Sequence, residues 1–135
     1  MIYEIKQDGK FKYIEEGKGE PLLLLHGLFG ALSNFAHLIE YFNKSYKVVV
    51  PMLPLLDLDL LHTSVGGLQK FVHKFIENRN YTSINLLGNS LGGHVALVHI
   101  LKHPERIKSL TLTGSSGLFE SGMGDTYPKR GDKEY

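Results

Sequence analysis

The sequence predicts an α/β fold, a mainly parallel sheet with helices on both faces. Two observations carry this. The continuous apolar run at residues 22–25 (all leucine) and the segment Lys47 to Val50, with three successive valines, have strand length and no alternation, as expected of strands buried on both sides. Stretches with apolar residues at helical spacing follow such runs, so strand and helix alternate along the chain and call for right-handed crossovers. A third observation locates the chemistry: Gly88-Asn89-Ser90-Leu91-Gly92 lies where one strand gives way to a helix.

The elements follow in order. Residues 3–6 and 11–14 alternate in character around Gln7-Asp8-Gly9-Lys10, which predicts an opening hairpin with an Asp-Gly turn. After a break at Gly17-Lys18-Gly19-Glu20-Pro21 comes the leucine strand. Ser33 and Asn34 are cap residues for a helix with Phe35, Leu38, Ile39 and Phe42 on one face. The strand at 47–50 is stopped by Pro51, and residues 51–62, with two prolines and no period, read as a loop. Thr63 or Ser64 caps a helix presenting Val65, Leu68, Phe71, Val72, Phe75 and Ile76, which ends near residues 78–80. A strand at 83–87, the Gly-x-Ser-x-Gly turn and a helix over 91–102 come next. His103-Pro104-Glu105 ends that helix, and residues 107–113 form a last strand. No period organises 114–135. The chain is therefore one domain, 1–135.

Bulk properties narrow the function. The 135 residues carry 15 basic and 14 acidic side chains, a net charge of +1, without a basic stripe. Neither nucleic acid nor an anionic membrane is expected as a partner. The absence of cysteine excludes disulfides, thiolate metal sites and a cysteine nucleophile. The first residues do not read as a signal peptide, and no apolar run approaches the roughly 20 residues of a membrane helix. A cytoplasmic protein without metal or cofactor is expected.

Gly-x-Ser-x-Gly between strand and helix is a nucleophile elbow, in which a tight turn raises a serine hydroxyl above the sheet. Ser90 is the candidate nucleophile. Acyl transfer also needs donors for the developing oxyanion. The Leu91 amide, at a helix N-terminus, supplies one. The other is expected from His26-Gly27-Leu28-Phe29-Gly30, directly after the leucine strand, with the Leu28 amide placed to serve. Parallel neighbouring strands would bring both loops to one sheet edge. The bland alternative is a phosphate-binding or helix-capping serine, but no Gly-x-x-x-x-Gly-Lys-Ser/Thr pattern accompanies it.

His26-Gly27 after a buried strand, Gly88-Asn89-Ser90-Leu91-Gly92-Gly93-His94 at the elbow, and His103-Pro104-Glu105-Arg106-Ile107 before the next strand resemble the N-terminal half of the α/β-hydrolase superfamily. The resemblance covers roughly residues 1–120. It implies Ser90 as nucleophile, the Leu28 and Leu91 amides as oxyanion hole, and a small carbonyl substrate, most simply an ester. A serine at the elbow speaks against the dehalogenase and epoxide-hydrolase branches. Ser33-Asn34-Phe35 is similar to the carbon–carbon bond hydrolase branch, where an asparagine lines the site. His26, Gly27, Phe29, Asn34 and Asn89 are accordingly substrate-site candidates.

Two departures stand out. The Asp-x-x-Gly-x-Gly-x-Ser segment usual after the strand ending near Val50 is replaced by the leucine-rich 51–62 stretch. The resemblance also implies that the triad acid and histidine, the lid and the last strands all follow Tyr135, so the chain reads as truncated, with 114–135 the start of a lid or a disordered tail. Among internal residues, His26 shapes its turn or acts as base, the first being the commoner use. His94 reads as a packing residue, and His37, His73, His99 and His103 as solvated or half-buried. His62 offers no spacing that recommends it. Asp57, Asp59, Glu120 and Asp125 read as solvated carboxylates, although some hydrolases place the acid near the position of Glu120. The expected function is a serine hydrolase, with thioesterase, perhydrolase or carbon–carbon bond hydrolase as relatives of that reading, and an inactive fragment or binding protein as the alternative class. The 107–113 strand, lacking later neighbours, should expose an apolar edge and invite self-association.

Overall fold

A computed structural model describes residues 3–27, 35–55 and 64–115. Its strands are β1 (Lys6–Asp8), β2 (Phe11–Glu16), β3 (Pro21–Leu25), β4 (Lys47–Pro51), β5 (Ile84–Asn89) and β6 (Ile107–Thr113). The helices are α1 (Ala36–Phe42), α2 (Val65–Arg79) and α3 (Leu91–Lys102), and a short 3-10 turn at Pro104–Arg106 leads into β6. The strands form one sheet in the order β1-β2-β4-β3-β5-β6. From β4 to β6 all neighbours are parallel, while β2 joins β4 antiparallel and β1 joins β2 antiparallel. The predicted α/β class and the alternation of strand and helix from β3 to β6 hold.

The leucine run explains itself at the centre of the sheet. Leu23 and Leu25 point into the core under α2 and α3, with Val72, Phe75, Leu86 and Val95. Leu22 and Leu24 point the other way, into a core shared with Ile39 of α1, Val48 and Val50. Both sides of β3 are dry, so no position on it can be polar. Each fully buried leucine contributes about 1.5–3 kcal/mol.

Several boundaries move for identifiable reasons. Asp8 pairs with Phe11, so the hairpin turn is Gly9-Lys10, and Gly9 takes the left-handed φ of +58°. Pro51 is the last residue of β4 rather than its stop; pairing with β3 has already ended at Val49, so its missing N–H removes no bond from that ladder. Phe35, buried and without a side-chain hydrogen bond, occupies the N-cap position of α1, while Ser33 and Asn34 lie outside the described residues. Ser64 caps α2, its Oγ accepting from the Gly67 N–H at 3.0 Å. Asn80 closes α2 in the left-handed conformation, φ 57°. Thr63, most of the 51–62 loop and the tail from 116 lie outside the described residues.

Candidate functional site

β3 is where the winding of the sheet reverses: α1 leads from it to β4 on one side, and α2 carries the chain back across to β5 on the other. Such a switch point opens a crevice beyond the strand ends, where α/β sheets bind ligands. Leu25 is in register with Gly88, so His26-Gly27 and Asn89-Ser90 leave the sheet side by side.

Ser90 is exposed and holds a backbone conformation of φ 56° and ψ −121°. A non-glycine residue there carries strain of about 1–3 kcal/mol. Three hydrogen bonds hold it in place. Its N–H donates to the Thr113 carbonyl at 3.1 Å, and its own carbonyl accepts from the N–H groups of Gly93 (3.0 Å) and His94 (3.4 Å). The hydroxyl forms no cap bond and surmounts the N-terminus of α3. Leu91 N–H, at the first helical position, has no intrahelical carbonyl to serve and points with the positive end of the helix dipole.

The glycines around Ser90 are set by crowding. A Cβ on Gly88 would lie 2.6 Å from Gly93 Cα, and one on Gly92 would run into the Leu25 carbonyl oxygen. The helix thus starts in contact with the end of β3, which brings the two loops together. A Cβ on Gly27 would sit 3.0 Å from Ser90 Cβ and 3.3 Å from Ser90 Oγ, so Gly27 forms the floor beside the hydroxyl.

His26 is buried, and both ring nitrogens meet backbone groups. Nε2 accepts from the Leu53 N–H at 3.1 Å, and Nδ1 lies 2.9 Å from the Gly27 carbonyl oxygen. With Nε2 accepting, the proton resides on Nδ1 and is donated to Gly27. Burial lowers the pKa of the ring and keeps it neutral. Neither nitrogen is left for a substrate or for Ser90. Asn89, half-buried, accepts at Oδ1 from the Thr113 hydroxyl at 2.9 Å, which ties the elbow to the end of β6. Leu28, Phe29 and Asn34 lie outside the described residues, as do His62, Asp57, Asp59, Glu120 and Asp125.

The other described histidines lie apart from the hydroxyl or in other contacts. His94 is partly buried and engaged on α3, and His37 is exposed on α1. His73, His99 and His103 form a ring cluster between α2 and the end of α3, with His73 and His103 stacked at 3.8 Å. His99 is nine residues from Ser90, about 13 Å along the helix. Among the described residues no group of three or more histidines and carboxylates could hold a metal ion. The sequence pattern assigns no role at the site to Thr113, Leu53 or Gly93. Only Gly93 left a signal, as the third glycine of the motif; the others reach the site through strand register and a 27-residue separation.

A family model described as alpha/beta hydrolase fold matches residues 20–135. Lipase 1 of Psychrobacter immobilis is 30% identical over 121 residues, covering 84% of this chain and 38% of the lipase. The 2-hydroxy-6-oxo-6-(2'-aminophenyl)hexa-2,4-dienoic acid hydrolase of Metapseudomonas resinovorans is 32% identical over 117 residues, covering 79% of this chain and 39% of that hydrolase. Among solved structures, MGS-MChE2, an alpha/beta hydrolase enzyme from the metagenome of lagoon sediments at Mar Chica, Morocco, superposes with a TM-score of 0.81 at 50% identity, covering 87% of this chain and 54% of that one. The chain thus spans about two fifths of the length of the two named relatives.

Proposed function

Since the chain belongs to the alpha/beta hydrolase fold family, we propose that it carries the nucleophile half of a serine hydrolase acting on a small ester or related carbonyl compound. The observation that carries this reading is the strained, exposed Ser90 on the switch-point edge, with its hydroxyl against Gly27. A serine serving only as a helix cap would have an extended backbone and accept from the first helical turn. Ser90 does neither.

In the proposed reaction Ser90 Oγ attacks the carbonyl carbon, and its proton passes to a base. The carbonyl oxygen becomes an oxyanion held by the Leu91 N–H and by the amide that follows Gly27, that of Leu28. Collapse expels the alcohol, which takes the proton, and leaves an acyl group on Ser90. Water, giving its proton to the same base, then attacks the acyl carbon; the bond to Ser90 Oγ breaks, the carboxylic acid leaves, and the base returns the proton to Oγ. The base is taken to be a histidine outside the described residues; His26, His73, His99 and His103 within them are placed in other contacts. The lipase relative favours an oxygen ester as substrate. A carbon–carbon bond hydrolase is the second reading, favoured by the similarity to the dienoic acid hydrolase. Asn34 and Phe29 would then line the substrate side of the cleft.

A fluorophosphonate probe tests the reading. The adduct should map to the peptide bearing Ser90 and disappear in Ser90→Ala. Labelling that persists in the variant refutes it. Turnover by the 135-residue chain alone should be slow, and rapid ester hydrolysis abolished by Ser90→Ala would require a base among the histidines already present.

A further inference from the structure

We infer that Thr113 is a positioning residue for the nucleophile: through its carbonyl and its hydroxyl together, the end of β6 holds Ser90 in place. The inference rests on the serine-hydrolase reading above and goes beyond it by giving a task to a residue outside the motif. The bonds at Ser90 carry it. The Ser90 carbonyl is held by Gly93 and His94, which belong to the helix that follows the serine and move with it. The Ser90 N–H is held at 3.1 Å by the Thr113 carbonyl, on a different element. Of the three bonds, that one ties the serine across to a neighbouring strand.

Thr113 ends β6, which among the described residues has a neighbour on one side only. Strand ends of this kind fray readily. The side chains oppose fraying here. Asn89 and Thr113 are partners in register, and Thr113 Oγ1 donates to Asn89 Oδ1 at 2.9 Å. The strand that delivers the serine and the strand that holds its amide are thus clasped at their final rung. Directly beyond, Gly114 turns with φ +54°, and the Ser115 side chain lies where a Cβ on Gly93 would collide with it. The end of β6 therefore lies along the first turn of α3. A strained backbone such as that of Ser90 persists only where its surroundings over-determine it. The same strand pair holds an internal control. Toward the other end of the ladder, Ser109 Oγ donates to Asn85 Oδ1 at 2.8 Å, again between partners in register. The chemistry is the same, but this rung lies at the end of β5 away from Ser90.

Removing one hydroxyl from each rung separates positioning from strand pairing. Thr113 is exposed, so Thr113→Val leaves the core intact. Misplacing a reacting atom by about 1 Å costs roughly 100-fold in rate. With the carbonyl bond retained, Thr113→Val should slow phosphonylation of Ser90, followed by mass spectrometry, about tenfold. Thr113→Ser keeps the hydroxyl and should stay within about threefold of wild type, and Ser109→Ala within about twofold. In an Asn89→Ala background Thr113→Val should cost no further rate, because its hydroxyl then has no side-chain amide to hold. Amide hydrogen exchange reads the clasp without any chemistry at Ser90: the Ser90 N–H should exchange about tenfold faster in Thr113→Val and unchanged in Ser109→Ala. Equal slowing of labelling by Thr113→Val and Ser109→Ala overturns the inference, as does an undiminished effect of Thr113→Val without Asn89. Unchanged Ser90 exchange in Thr113→Val overturns it whatever the labelling rate. Ser90→Ala still taking the label would instead remove the serine-hydrolase reading. Labelling that needs Ser90 but proceeds at the wild-type rate in Thr113→Val removes this inference alone.

Discussion

Acidification should unfold this protein partly through His99, and the size of the effect follows from its surroundings. The ring is 1% exposed, packed between α2 and α3, with Nδ1 3.1 Å from the Gln69 side-chain amide. Its pKa is pushed down to about 4 from 6.5, mainly by burial and then by the neighbouring His103 and His73. The opposing carboxylates are Glu105, which pairs with His103, and Glu77, which pairs with His73. Because the fold favours the neutral ring, this stabilisation is complete above pH 6.5 and is lost as the pH falls toward 4. The full difference is worth about 3 kcal/mol. His73 and His103 are half-exposed, so solvent weakens their share, and about 2 kcal/mol should be lost between pH 7.5 and 4.5. Urea unfolding of wild type and His99→Gln at both pH values isolates the contribution, since other titrating groups are common to the two proteins. Glutamine can keep a partner for Gln69 without acquiring a charge. The wild type should lose about 2 kcal/mol more than the variant on acidification. Equal losses, or a His99 ring resonance titrating near 6.5, would refute the argument.

Two further outcomes follow from the fold. Gly92→Ala should cost about 3 kcal/mol or more, because its Cβ meets the Leu25 carbonyl on the central strand; Gly66→Ala, whose Cβ finds only Ser64 Oγ at 4.0 Å, should gain about 0.5 kcal/mol from helix propensity. Comparable urea midpoints for the two variants would contradict this. Among the described residues β6 has a neighbour on one side only and keeps Ile107, Leu110 and Leu112 just partly buried, so the chain should self-associate in sedimentation velocity at high concentration. Thr111→Lys, placing a charge on the exposed edge, should weaken that association, and a wild type that stays monomeric counts against it.

The legible parts of this molecule were those written in local pattern. The leucine run could only be a central strand, and the Ser64 cap and Asn80 terminus of α2 each rest on a single side chain or a single backbone angle. The Gly-x-Ser-x-Gly turn was legible for the same reason, being short and bounded by a strand and a helix. What pattern could not show is contact between distant segments. Gln69 sits on the apolar face of α2 because His99 of α3 offers it a partner, and neither residue predicts the other. Leu53 meets His26 through its backbone, which leaves no trace in its side-chain identity. The hairpin turn moved by one residue because strand pairing, rather than the Asp-Gly dipeptide, sets register.

The elbow shows why such motifs are more informative than their length suggests. Neither Gly88 nor Gly92 has a positive φ; the unusual conformation belongs to Ser90 itself. Each glycine is required by a different neighbour, Gly88 by the first turn of α3 and Gly92 by the end of β3. The five-residue pattern therefore encodes a packing arrangement of three segments, one of them, the end of β3, outside the motif. Ser90 remains strained because Thr113, Gly93 and His94 provide three backbone hydrogen bonds, each worth about 1 kcal/mol net, against a strain of about 1–3 kcal/mol. Removing the crowding at Gly92 would not relax the serine usefully, since the same contact brings Gly27 against its hydroxyl. The approach of Gly27 to the proposed nucleophile thus depends on the contact between α3 and β3 at Gly92. A substitution at Gly92 should disturb that approach.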